Sequence, residues 1–182
     1  LTIAVLALGG LIPVVDPVGT AAACTVPATG GTSNTTFTDD TGTSYRIEAF
    51  ETVGDDALAV CADVTVDVLV VAGGGGSNAE HSGGGGAGGV VFNESIDLSP
   101  GNYTISVGAG GAAVPNGRPA PGGNNGENSS ALDFVAIGGG SSGAYDDENN
   151  AEDTGKAGGS GGGAGGGDAE AEFGAALQPS SE

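Results

Sequence analysis

Residues 64–91 read VTVDVLVVAGGGGSNAEHSGGGGAGGVV. The first nine, Val64 to Ala72, are dense in β-branched residues, which fit a pleated strand, and glycine bounds them sharply. A long glycine tract follows, and Val90, Val91 and Phe92 then resume the apolar pattern. A Gly/Ser tract between two domains behaves as a flexible coil. This tract instead continues directly from an apolar strand, and the pattern recurs where Phe134-Val135-Ala136-Ile137 runs into Gly138-Gly139-Gly140. Two states are open to such tracts. One is a flexible loop. The other is an extended helix of three residues per turn, resembling polyproline II, rising about 3.1 Å per residue without internal hydrogen bonds. Ordering glycine is entropically costly, and buried N–H and C=O groups need partners. Only several such helices packed in backbone contact would hold, bonded to one another and supported by Cα–H···O contacts. Placement inside a strand-and-turn unit favours the packed helices. No strict Gly-x-y period exists, so collagen is excluded.

Working outward, 44–52 (SYRIEAFET) and 57–62 (ALAVCA) read as strands before this stretch. After it, SPGN at 99–102 has turn chemistry, and 103–107 (YTISV) alternates as a half-buried strand does. Residues 108–130 are turn-rich, and 131–137 (ALDFVAI) reads as one further apolar strand. A second glycine tract at 158–167 follows an acidic insert, and 168–182 reads as a short helix or loose chain. No stretch carries helical periodicity. The expected fold is an all-β scaffold with packed polyglycine, polyproline II-like helices, and little or no α-helix apart from the N-terminal leader.

Composition narrows the function classes. Glycine takes 39 of 182 positions, about three times its ordinary share. Aromatics are 4%, with no Trp and no Met, so a large conventional core is not available. Three basic residues, Arg46, Arg118 and Lys156, face 23 acidic ones, for a formal charge of -20. Binding phosphates takes clustered Lys and Arg, so nucleic acid and anionic membrane surfaces are excluded as charge partners. The acidity suits solubility in saline water or the binding of divalent cations. In the insert, Asp146, Asp147, Glu148 and Asp153 are candidate calcium ligands through oxygen. EF-hand spacing and its closing Glu are missing, so a solvated acidic loop is the preferred reading. No other cofactor is expected.

Residues 1–23 read as a signal peptide: an apolar run to Val15, broken by Gly9, Gly10 and Pro13, then a polar stretch ending in Ala21-Ala22-Ala23. The run is too short and interrupted for a membrane span. A retained pilin-type assembly helix is the alternative, though the run lacks an early Glu. Export places Cys24 and Cys61 in an oxidising compartment, where an isolated pair forms a disulfide, worth about 3–4 kcal/mol on the chain-entropy model. Lipidation of Cys24 also stays open, although Ala21 stands where a lipobox has Leu and Cys61 would be left over. The expected organisation is a leader at 1–23, a polar lead-in of loop with short strands at 24–43, a glycine-rich β domain at 44–175 and a tail at 176–182.

Two catalytic look-alikes fail on context. Gly74-Gly75-Gly76-Ser77-Asn78-Ala79 imitates a dinucleotide-binding turn, with Glu94 about twenty residues on. That motif needs a helix next, and AEHSGGGGAGG cannot form one. Ser141 and Ser160 each sit in a G-x-S-x-G pattern. A nucleophile elbow also needs a helix and a later His, whereas His81, the one histidine, precedes both and reads as a loop residue. Catalysis is not expected.

The run DVLVVAGGGGSNAEHSGGGGAGGVV, then LSPGNYTISVGAGG, then NSSALDFVAIGGG, resembles the glycine-rich domain of bacteria and phages over about 44–170. The interleaved PGNYTISVGAGG makes the likeness specific. The resemblance implies a β scaffold carrying a bundle of glycine helices, with adhesive, ligand-binding or structural roles. The family pattern closes on a further strand, whereas this chain ends in LQPSSE, so the domain is expected to lack that strand. Two functions are expected: a secreted surface module for recognition or adhesion, with loops between glycine helices as its binding face, or a self-assembling subunit of an extracellular filament, sheath or matrix. Partners would be an extracellular ligand or copies of itself, at the cell surface or outside the cell.

Overall fold

The computed structural model describes residues 3–8 through their backbone, and residues 26–77, 81–114, 123–144, 153–166 and 171–178. Among the described residues ten strands form: β1 (Ile3–Leu8), β2 (Ala28–Thr29), β3 (Ser33–Thr38), β4 (Ser44–Phe50), β5 (Gly54–Val60), β6 (Val64–Val71), β7 (Val90–Leu98), β8 (Gly101–Val107), β9 (Ser129–Ala131) and β10 (Phe134–Ala136). They make two five-stranded sheets, ordered β3-β4-β1-β6-β7 and β10-β9-β8-β5-β2, in which every pairing is antiparallel. None of the ten elements is a helix. The all-β expectation therefore holds.

The second sheet lies over the first, and alternation explains the core between them. In β6, Val64, Val66, Val68 and Val70 are buried, while Thr65 and Asp67 lie on the other side of the pleat. Leu58 and Val60 of β5, Ile105 and Val107 of β8, Ala131 of β9 and Ala136 of β10 join them in one cluster with Phe50 of β4. These are small and medium side chains, each contributing about 1.5–3 kcal/mol on full burial for the larger ones. One charged group enters: Glu48 of β4 is buried, paired through Oε1 with Arg46 Nε, which is itself a quarter exposed.

Three segments differ from the sequence reading, and the polar lead-in, read as loop with short strands, carries β2 and β3. The 131–137 stretch is a hairpin, not one strand: β9 and β10 pair around Leu132-Asp133, with Leu132 at φ 55°. Leucine carries no turn signal, which is why periodicity ran across it. Strand β7 extends six residues beyond Phe92, through a bulge opposite Asp67. There Ser95 adopts φ 59° and donates its N–H to Asp67 Oδ1 at 2.9 Å. Within the polar lead-in, the wholly exposed β3 pairs with β4 and stacks Phe37 on Tyr45, ring centroids 5.0 Å apart. The β3–β4 turn is tied by Asp39 Oδ1, which accepts from Thr41 and Thr43. Finally, Ile3–Leu8, inside the expected leader, runs as the middle strand of the first sheet, pairing with both β4 and β6.

The glycine segments lie outside the ladders, and their hydrogen bonds repeat every three residues. Along 72–77, the N–H groups of Ala72 and Gly75 donate to Gly89 and Gly86, and those of Gly73 and Gly76 donate to Glu127 and Asn124. On the same segment, Gly73 and Gly76 carbonyls accept from Gly139 and Ser142, and Gly74 and Ser77 carbonyls accept from Gly111 and Val114. One strand of glycine is thus bonded to four neighbours. Likewise the carbonyls of His81, Gly84 and Ala87 accept from Gly166, Gly163 and Ser160.

Candidate functional site

The glycine block leaves no room for side chains on its inner faces. A Cβ on Gly73 would lie 2.7 Å from the Ala109 carbonyl carbon, and one on Gly76 would lie 2.8 Å from Gly111 O. One on Gly86 would come within 2.6 Å of Gly161 O. Gly84 has nothing within 4 Å, and three residues on, Ala87 is exposed. Side-chain amides continue the same period of three. Asn128 Oδ1 accepts from Gly138 N–H and Asn125 Oδ1 accepts from Ser141 N–H, each at 2.9 Å, while Asn125 Nδ2 donates to Ala157 O. Ser129 Oγ accepts from Gly108 N–H, and Gln178 Oε1 from Ile137 N–H. This block is a rigid frame, since moving any one segment breaks bonds to several others.

On the sandwich itself a cleft of about 450 Å³ opens between the end of β7, β8 and the β9–β10 turn. That volume lies in the range of small-molecule sites. Ile96, Leu98 and Phe134 supply apolar wall, and Asp97, Asn102, Thr104 and Asp133 supply polar groups. Tyr103 completes it, its hydroxyl donating to Ser99 O at 2.9 Å so that the ring is held. Asp97 is braced by Thr65 Oγ1 at 2.7 Å. Leu132, whose left-handed backbone is disfavoured for a branched side chain, turns the chain at the rim. Strained residues concentrate where a site over-determines its geometry. The carboxylates and hydroxyls accept or share hydrogen bonds, and no cation lines the wall.

A model of the glycine-rich domain family matches residues 51–180. The chain belongs to that family. No curated protein and no solved structure matches it.

Within the glycine-rich domain, the sequence-derived candidates fall as follows. Asp153 is buried at the start of a glycine segment, where its carbonyl accepts from Gly165 N–H. Asp146, Asp147 and Glu148 lie outside the described residues, as does Cys24. Among the described residues no three His, Cys, Asp or Glu side chains are grouped to hold a metal ion. Cys61, just after β5, donates its N–H to Pro27 O and is not a free cysteine. The glycines of the dinucleotide look-alike, 74–76, lie in neither helix nor strand and are bonded to other glycine segments. Ser141 is buried and Ser160 exposed, and 142–144 and 161–166, which follow them, form no helix. His81 is exposed at φ 45°. The loops expected as a binding face fall largely in segments outside the described residues. The cleft was missed because its walls come from three separate elements, and the segments LSPGNYTISVGAGG and NSSALDFVAIGGG that supply most of them carry a family likeness without a ligand signature. No helix among the described residues is long and apolar enough to cross a membrane.

Proposed function

We propose that this chain is a secreted, non-enzymatic surface protein whose glycine-rich domain acts as a recognition or adhesion module. The leader-like composition of 1–23 supports export, and a Cys24–Cys61 disulfide then tethers the N-terminal region to β5. The three-residue period of the glycine hydrogen bonds supports packed polyglycine helices as the frame. Such a frame suits a module exposed to a harsh exterior, because its order comes from many interlocked backbone bonds rather than a large core.

The observation that carries the recognition reading is the cleft beside β8. Apolar and aromatic wall next to carboxylate, amide and hydroxyl groups matches a neutral polyhydroxylated ligand, a saccharide, whose C–H faces rest on rings while its hydroxyls are hydrogen-bonded. Anionic ligands are disfavoured by the formal charge of -20. Among the described residues neither catalytic look-alike runs directly into the helix its chemistry requires, which supports a binding role, and the reading needs no metal or organic cofactor. The test is a screen of the whole chain against immobilised neutral oligosaccharides, repeated with Asp133→Ala and Phe134→Ala. Saturable binding weakened at least tenfold by both substitutions is the expected result. Absence of binding across the panel, or binding indifferent to both, would overturn the assignment.

A further inference from the structure

The first sheet takes its middle strand from far away in the chain. β1 is opposite β4 over Ile3–Leu8 and opposite β6 over Ala4–Ala7, so it alone joins the β3–β4 pair to the β6–β7 pair. Without it, β4 and β6 would face each other across two strand spacings, about 9–10 Å, with both backbone edges unpaired. Those edges flank buried side chains: Glu48 and Phe50 on β4, Val66 and Val68 on β6. The register sets Val5 opposite both Glu48 and Val68, and Ala7 opposite both Arg46 and Val66. β1 carries no charge, Gly or Pro, so every backbone group is available to the two ladders. It also lies outside the family match, which begins at residue 51, and residues 9–27 separate it from β2.

We propose that the space between β4 and β6 is a strand-acceptor site, filled by Ile3–Leu8 of the same chain through β-strand addition, and held by its two ladders rather than by the covalent connection. The strand is therefore separable and replaceable by one of the same pattern. Removal of residues 1–23 as a leader would open the site to such a strand. The inference goes beyond the recognition reading and does not depend on it.

The experiment uses the full chain with a protease site substituted at 17–20. The folded protein is cut there, passed over a sizing column, and challenged with an excess of labelled synthetic peptide 1–12, and separately with that peptide carrying Val5→Pro. The freed fragment is expected to co-elute with the remainder. The labelled peptide is expected to replace it one for one, and the proline peptide, which lacks a ladder donor, to bind at least 100-fold more weakly. Stripping the fragment should abolish amide-exchange protection in Ile47–Phe50 and Val66–Val70. Dimers of the uncut chain that dissociate with the free peptide would also support the site, with the strand placed in a neighbour. Release of the fragment on cutting, with melting temperature and amide protection unchanged, would overturn it. So would a fragment that no excess of peptide replaces, even at the edge of the denaturant transition.

Discussion

Adjacent glycines in one tract should respond in opposite directions to the same added methyl group. A Cβ at Gly85 would sit 2.6 Å from the carbonyl carbon of Gly75, closer still to its oxygen, and 3.1 Å from Gly76 O. Relief takes a shift of about 1 Å in a backbone whose neighbours on four sides are hydrogen-bonded to it. Overpacking of this kind costs about 1–3 kcal/mol, and each weakened bond adds about 0.5–1.5 kcal/mol. With two bonds disturbed, Gly85→Ala should lose about 3–5 kcal/mol. At Gly84 nothing lies within 4 Å and φ is outside the left-handed region. There the substitution mainly restricts the unfolded chain, and should stabilise by about 0.4–1 kcal/mol. For a chain of this size 1 kcal/mol moves the melting point by about 2–4 °C. Gly85→Ala should therefore melt about 6–20 °C lower than the parent, and Gly84→Ala about 1–4 °C higher, by calorimetry at one pH and concentration. Equal shifts in the two variants, or a Gly85→Ala change under 2 °C, would refute the close packing of these segments.

Further outcomes follow from other parts of the molecule. Arg46→Met strips the buried Glu48 of its cation and should cost about 2–4 kcal/mol in urea titrations, discounted from a fully buried pair because Arg46 is partly exposed. The double change Arg46→Met with Glu48→Leu should recover most of that. Asp39 is held below its ordinary value of 3.8, chiefly by the Thr41 hydroxyl and then by the Thr43 N–H. A depressed folded pKa means stability that is present above 3.8 and lost as pH falls through the lower folded value. The stability gap between parent and Asp39→Ala should accordingly close in acid, as read from denaturant midpoints across pH 2–6; a gap unchanged by acid would dismiss the turn's dependence on the charged form. Reduction by dithiothreitol should lower the melting point by the equivalent of about 3–4 kcal/mol if Cys61 is bridged to Cys24, and Cys61→Ser should reproduce the shift without reductant.

Much of the scaffold was legible because its signals are local. Val64 to Val71 is an apolar run dense in β-branched residues and stopped by glycine, and Pro100-Gly101 marks the turn into β8. The glycine tracts were also read as ordered from their attachment to strands. What escaped were features without a local mark. Leu132-Asp133 reverses the chain although Leu132, the residue in the left-handed region, carries no turn signal; its core contacts hold a backbone that its own preference resists. The Ser- and Thr-rich β3, exposed along its length, shows no apolar period, so its bounds and its pairing with β4 were not legible within a stretch read as loop with short strands. Asn125 and Asn128 looked like turn residues in GGNNGENSS, yet they satisfy N–H groups of a glycine segment that backbone carbonyls do not reach. The cleft is a meeting of β7, β8 and a hairpin, so no single window of sequence contains it.

By itself the sequence determined that this chain is a β protein interleaved with glycine tracts. β-branched alternation selects the strand, and the missing side chain allows backbones to touch. Only the tertiary structure decided which strands pair, with Ile3–Leu8 taken into the middle of a sheet, and which glycines are irreplaceable. Both depend on what arrives from distant segments. Gly84 and Gly85 are identical as residues and differ only in the backbone that lies against them.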